Sequence, residues 1–524
     1  MIASRIPAIR RQWPVALVRS LVLVVVPSFL SDLANPERRR RPPRLHPTSY
    51  LDGLRGLAAC AVFAYHYTDY NHKPFLPHYG NNNPEEMGSS YLQLPYIRLL
   101  YSGTPMVHIF FVISGFALSF RPLRTLYSSC SAAGAPDAQA IAKAHSILAS
   151  SAFRRPFRLF LPPMITTLLT AAIVRMGYMN KYMQPQETVK DQFYHWWDDV
   201  FHRITYPWAW DDGSPKSQYN PHLWTIPMEF VHSMFLFLVV LVSSRLRSTY
   251  VRQAFFALMM ALVIWNGRWA AFEFLGGALL ADMYLAEQKH QQQAPDSREP
   301  EKEGLITPLQ NGGASPGSAP ARVCRSLPMV WRGLVDAFRI LVLVGAGFIL
   351  SWPPRGGDMT ETYTWIQSLA PETIVGENTD RAKNFWLAVA AFSTVWASGR
   401  VALFKRVLNS AVAQYAGNIS FCFYILQHPV LNLMQHNVLG SQAKPAQGDM
   451  PAQEPWGVRG MTDIKTPFQR TICWLIGLVI IGSVLVWLAD LFTRMVDGPA
   501  VKFARWVESL CFTPEEPQER PAQK

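Results

Sequence analysis

The sequence predicts an all-α polytopic membrane protein of about ten transmembrane helices, with both termini in the cytosol. Three observations carry that prediction. Of 524 residues, 49% are hydrophobic and only 16% charged, whereas a soluble chain of this length normally carries more charge. The apolar residues fall into blocks of bilayer-spanning length, at about 50–68, 101–120, 157–176, 225–243, 251–266, 268–286, 333–351, 384–400, 407–434 and 470–494. With the basic cluster Arg38–Arg41 and Arg44 placed in the cytosol, segments 34–49, 121–158, 244–252, 287–332, 400–406 and 494–524 fall on the same side. They carry more than twice the Lys and Arg of the opposite segments, as the positive-inside rule requires. The net charge of +13 therefore follows topology and implies a lipid bilayer, not nucleic acid, as the partner.

Taken in order, residues 1–47 form a basic arm. Arg5, Arg10, Arg11 and Arg19 surround a short apolar patch, Leu21 to Val26, closed by Pro27. An interfacial helix on the cytosolic face fits this pattern, with a signal anchor as the alternative. Residues 48–286 form a front block of six spans, the fifth of them short. Residues 287–332 are polar and rich in Pro, Gly, Gln and Ser, and read as a disordered cytosolic linker. A rear block of four spans occupies 333–494, and 495–524 reads as a cytosolic tail. The loop 179–222 holds Tyr182, Phe193, Tyr194, Trp196, Trp197, Trp208, Trp210 and Tyr219. So many aromatics predict a folded cap, which either roofs a cavity or anchors the bundle as an aromatic belt. The six cysteines lack zinc spacing and avoid the outer loops, so neither a metal nor a disulfide is expected.

Ionisable residues inside a membrane are costly and face a bundle interior or a water-filled cavity. The first span carries Arg55 and, eleven residues later, His66. Eleven residues bring a helix back to within about 20°, so both groups share a face about 16 Å apart along the axis. A histidine there can serve as a general base or be a satisfied core residue. Asp52, one turn before Arg55, is a candidate ion-pair partner. In the second span, Phe110-Phe111-Val112-Ile113-Ser114-Gly115-Phe116 places small residues where helices approach closely, with Ser114 free to face a cavity and His108 just upstream. Arg154, Arg155 and Arg158 enter the third span, where they meet lipid headgroups or clamp phosphates. His222, Trp224 and Thr225 lead to Glu229 in the fourth span, a carboxylate expected to pair with Arg55 or His66. Glu273 and Asp282 in the sixth span are further buried acids. Ser420, Tyr424 and His428, spaced i, i+4, i+8, form one polar stripe on the ninth span.

Together, in type and order, these elements resemble the membrane-bound acyltransferase family 3. The opening motif stands here as Leu51–Ala58 with Arg55 and His66; FF-x-x-SGF matches Phe110–Phe116. The basic run matches Arg154, Arg155 and Arg158 followed by Pro162. The H-x-W-[ST]-x-x-x-E element matches His222, Trp224, Thr225 and Glu229, and the late Ser-Tyr-His element matches Ser420, Tyr424 and His428. The matches run from about residue 48 to 494. The resemblance implies transfer of an acyl group, most often acetyl from acetyl-CoA, to a hydroxyl of a small molecule or carbohydrate, with no tightly bound cofactor. It implies His66 as the catalytic residue with Arg55 and Glu229 beside it, and Arg154, Arg155 and Arg158 as the site for the coenzyme A phosphates. Ser114, His222, Trp224, Tyr424 and His428 would line the substrate site. The chain lacks the appended soluble catalytic domain of some bacterial members. Its insert and basic arm look fungal, which favours a secondary-metabolite acceptor and an endomembrane such as the ER. A proton-coupled transporter or flippase is the competing reading of the same buried charges, and a non-catalytic scaffold is a third.

Overall fold

The computed structural model describes residues 26–28, 45–80, 89–128, 137–179, 182–210, 215–293, 329–357, 360–376, 379–434 and 466–513. The described residues contain helices and no strands. The interfacial helix expected before residue 26 and the linker from 294 to 328 lie outside them. Ten main helices coincide with the ten predicted spans: α1 Ser49–Asn71, α2 Gly103–Ser128, α3 Ala138–Arg175, α5 Thr225–Ser243, α6 Thr249–Trp265, α7 Trp269–Gln293, α8 Met329–Leu350, α9 Thr379–Ser398, α11 Ala411–Leu433 and α12 Pro467–Phe492. Between them come the cap helix α4 Val189–Asp199 and the short α10 Ala402–Leu408; α13 Gly498–Cys511 follows α12. Six helical stretches are long and apolar enough to cross a bilayer alone, or seven if residues 380–398 and 402–408, bent by 93°, form one broken span. Helices α1 and α11 fall below that hydropathy because their facing stripes carry the Arg, His, Gln, Asn and Ser of the motifs.

Starts are set by side chains that cap free backbone N–H groups. Asp137 accepts from the Ala140 N–H at 2.6 Å, and Thr466 forms a capping box with Gln469 before Pro467. Ser248 and Ser410 cap α6 and α11 in the same way. Helical structure runs beyond two of the predicted apolar blocks. Helix α3 has 38 residues, about 57 Å at 1.5 Å per residue, so it extends well before the predicted span at 157. Within the predicted tail 495–524, α13 packs against the middle of α3. Arg154 meets Glu508 at 3.2 Å, and Phe153 and Phe157 pair with Phe512 and Phe503. Hydropathy marks where a helix becomes apolar, not where a helix supported by a neighbour begins.

Two close crossings hold the site together. Helices α1 and α11 run parallel and touch backbone to backbone, so that a Cβ on Gly56 would overlap the Gly417 backbone and one on Gly417 would overlap Asp52. Helices α2 and α7 meet similarly at Gly115 and Gly277. Small residues permit this approach, and van der Waals packing then holds helices that gain no hydrophobic free energy from one another in lipid. The suspected acids of α7 are both paired across helices. His108 meets Glu273 at 2.5 Å, and Arg252 meets Asp282 at 2.7 Å with Tyr127 beside it.

Replacing Gly417 by Leu should push α11 off α1 and lower the thermal unfolding temperature of the detergent-solubilised protein by more than 5 °C. Gly333→Ala, where a Cβ meets nothing, should leave it unchanged.

Candidate active site

A cavity of about 380 Å³ lies between α1, α2, α3, α5 and α11, beside the turn Thr493–Asp497 that follows α12. Contacts between the helices order its lining from end to end. Near the start of α1 stand Arg55, Arg155, Arg158, Glu229, Asn418 and Asp497. Two turns along α1 the wall becomes Val62, Val107, Phe110, Ile226, Thr225 and Tyr424. One turn further, beyond the cavity lining, stands His66.

At the charged end, the Arg155 Nη2 donates to Glu229 Oε1 at 2.6 Å, and its Nε donates to Ser233 at 3.1 Å. Ser114 donates to the same Glu229 oxygen at 3.2 Å. The partner expected for Glu229 was Arg55 or His66; the structure gives it Arg155. The physical reason is packing: α3 and α5 lie side by side, whereas Arg55 is drawn to α11, where it donates to the Gly417 carbonyl at 3.0 Å. Its expected contact with Asp52 forms at 3.5 Å. The basic run is divided. Arg155 and Arg158 face the cavity, Arg158 exposed and without a hydrogen bond or ion pair among the described residues, while Arg154 turns to Glu508 on α13.

The histidines gather in a separate layer. The His66 ring stacks on His222 with centroids 3.5 Å apart, and His222 meets His428 edge-on at 4.8 Å. His428 contacts the Tyr70 hydroxyl at 3.3 Å and is held by Asn432. The Tyr424 hydroxyl donates to the His222 carbonyl and shares a hydrogen bond of 2.7 Å with Thr225. Those two side chains therefore form the floor between the cavity and the histidines. Neither Arg55 nor Glu229 touches His66, so the companion role read for them at the histidine is not direct. Trp224 packs into the apolar core and not into the cavity lining.

The aromatic loop 179–222 is folded and packs over the histidine layer, and none of its described residues lines the cavity. Thr188 caps α4, Trp196 donates to Thr167 on α3, and Tyr182 lies edge-on over His428 at 4.8 Å. Phe193, Tyr194, Trp197, Phe201 and Trp208 point outward and exposed. Within the cap, burial pushes the Asp199 carboxyl up, opposed by the Gln218 N–H and the Ser217 hydroxyl that bind it. Burial also pushes the Tyr219 phenol up to about 12.

Sequence reasoning did not single out Tyr70, Asn418 or Asp497. Tyr70 was legible in principle, since it lies four residues after His66 on the same stripe. Asp497 sits past the last apolar residue of α12, where only the fold brings it back to Arg55 and Arg158.

A cationic, part-open chamber that turns apolar beneath a cluster of imidazoles defines an acyl-transfer enzyme embedded in a membrane bundle. The comparisons agree: the model of the Acyltransferase domain family matches residues 48–490, and the chain belongs to that family. It is 28% identical over 514 residues to O-acetyltransferase PaAT-1 of Phomopsis amygdali, covering 92% of this chain and 88% of that one. It is 24% identical to Acyltransferase R4 of Phoma sp. over 88% of this chain and 95% of the relative, and 22% identical to Acyltransferase clz18 of Cochliobolus lunatus over 72% and 81%. No solved structure matches it.

Breaking a buried ion pair by removing one partner leaves the other charge uncompensated. Because this pair lines the cavity and is only partly buried, Arg155→Met should cost about 1–3 kcal/mol of stability, less than breaking a fully buried pair. Arg155→Met with Glu229→Gln should recover a large part of that loss in thermal unfolding.

Proposed function

We propose that this acyltransferase transfers acetyl from acetyl-CoA to a hydroxyl of a small, secondary-metabolite-like acceptor, with His66 as general base. The observation that carries this reading is the graded cavity, cationic at one end and apolar at the end nearest His66. With the N-terminus of α1 in the cytosol, the cationic end opens towards the compartment that supplies acetyl-CoA. Arg158, Arg155 and Arg55 then receive the coenzyme phosphates, as planar guanidinium groups do well. The pantetheine arm follows the cavity along α1, and the thioester reaches the apolar end one turn below His66.

The acceptor enters from the capped side, between Tyr70, Tyr182 and the histidines. Joining the two compartments requires the Tyr424 side chain to turn away from Thr225. His66 takes the hydroxyl proton as the oxygen attacks the thioester carbonyl carbon. The C–S bond then breaks, the ester forms, and the coenzyme A thiolate recovers the proton from the imidazolium. His222, stacked on His66, fixes the ring's orientation. The O-acetyltransferase among the fungal relatives supports acetyl as the group moved.

Purified protein given radiolabelled acetyl-CoA and hydroxylated metabolites of the host should form acetyl esters. His66→Ala should lower the rate by about 10²- to 10⁴-fold while the protein stays folded. An unchanged rate would remove His66 from the mechanism. The division of the basic run gives a second expectation. Arg158→Ala should raise KM for acetyl-CoA at least tenfold, whereas Arg154→Ala should change it less than threefold.

A further inference from the structure

Nothing above assigns what measures the length of the transferred acyl group. We propose that Phe110 on α2 and Ile226 on α5, with Val62 and Val107 beside them, form a closed acyl pocket that selects short chains; this rests on the donor assignment above. In this layer the four apolar side chains line the cavity together, away from Arg55, Arg155, Arg158 and Glu229. Its far side is shut by Tyr424 and Thr225, which are hydrogen-bonded to each other at 2.7 Å, with Tyr424 also donating to the His222 carbonyl. A thioester held with its sulfur towards the arginines has its acyl carbons against these four side chains.

Phe110 is the element best placed to set the depth. It lies one turn from Ser114 on the same face of α2, so the residue that touches Glu229 and the bulkiest of the four apolar wall residues are positioned by one helix. Its neighbour Phe111 is locked against Trp269 and Phe274 and cannot move into space that Phe110 vacates without losing those contacts. The Gly115–Phe274 backbone approach fixes the height of α2 against α7 and so the height of Phe110 in the cavity. A closed apolar pocket of this kind discriminates one methylene from the next by about 10- to 200-fold.

The test measures binding, because the acceptor is not needed for it. Full-length purified protein is loaded with radiolabelled acetyl-CoA, which is displaced by unlabelled acetyl-, butyryl- or hexanoyl-CoA, for wild type, Phe110→Ala and Ile226→Ala. Wild type should favour acetyl- over hexanoyl-CoA by at least about tenfold, and either variant should bring that ratio towards one. Two variants from opposite walls guard against one failing to fold, which size-exclusion profiles report. An unchanged ratio in the folded variants, or no preference in wild type, would overturn the pocket. Failure of wild type to retain acetyl-CoA or free coenzyme A at all would instead overturn the donor assignment, and the pocket with it.

Discussion

The backbone contact between α1 and α11 at Gly56 and Gly417 is the constraint on which the site depends. Because the two helices run parallel and touch there, residues at equal distances beyond the crossing come to equal depth. Arg55 meets the Gly417 carbonyl at the crossing itself, and His66 and His428 enter one histidine layer further along. A side chain at either glycine would separate the helices and part His66 from the cavity wall. Among the described residues no ion pair bridges the two helices; the Arg55–Gly417 and Gln414–Ser49 hydrogen bonds add to the close packing of small residues.

Charges in such a medium persist only where they are partnered, and the partners sort them by role. His108–Glu273 and Arg252–Asp282 are buried on both sides and join helices, which identifies them as clamps of the α2–α7 and α6–α7 packing. Arg155–Glu229 differs because it lines the cavity. It can neutralise an empty chamber and yet leave Arg155 available to an incoming anion, with Arg158 beside it.

The site works as a sequence of layers. Guanidinium groups, apolar walls, a Tyr–Thr floor, imidazoles and an aromatic cap succeed one another along α1. This order suits a ligand with an anionic head and an uncharged reactive end. The hydrogen-bonded pair Tyr424 and Thr225 separates the cavity from the histidines and the capped side.

The sequence by itself determined the helical membrane class, the apolar stretches around which the main helices form and the family, because apolar block length and motif residues are local properties that hydropathy and spacing report directly. It also determined the shared face of Arg55 and His66 and the stripe of Ser420, Tyr424 and His428, since helical periodicity fixes which side chains stack. Only the tertiary structure decided who pairs with whom. Glu229 met Arg155 instead of Arg55, Arg154 turned away to Glu508, and Asp497 returned to the cavity from beyond α12. Those outcomes depend on which helices lie side by side and at what height, and that is set by glycine crossings and helix lengths summed over the whole bundle, not by any one segment.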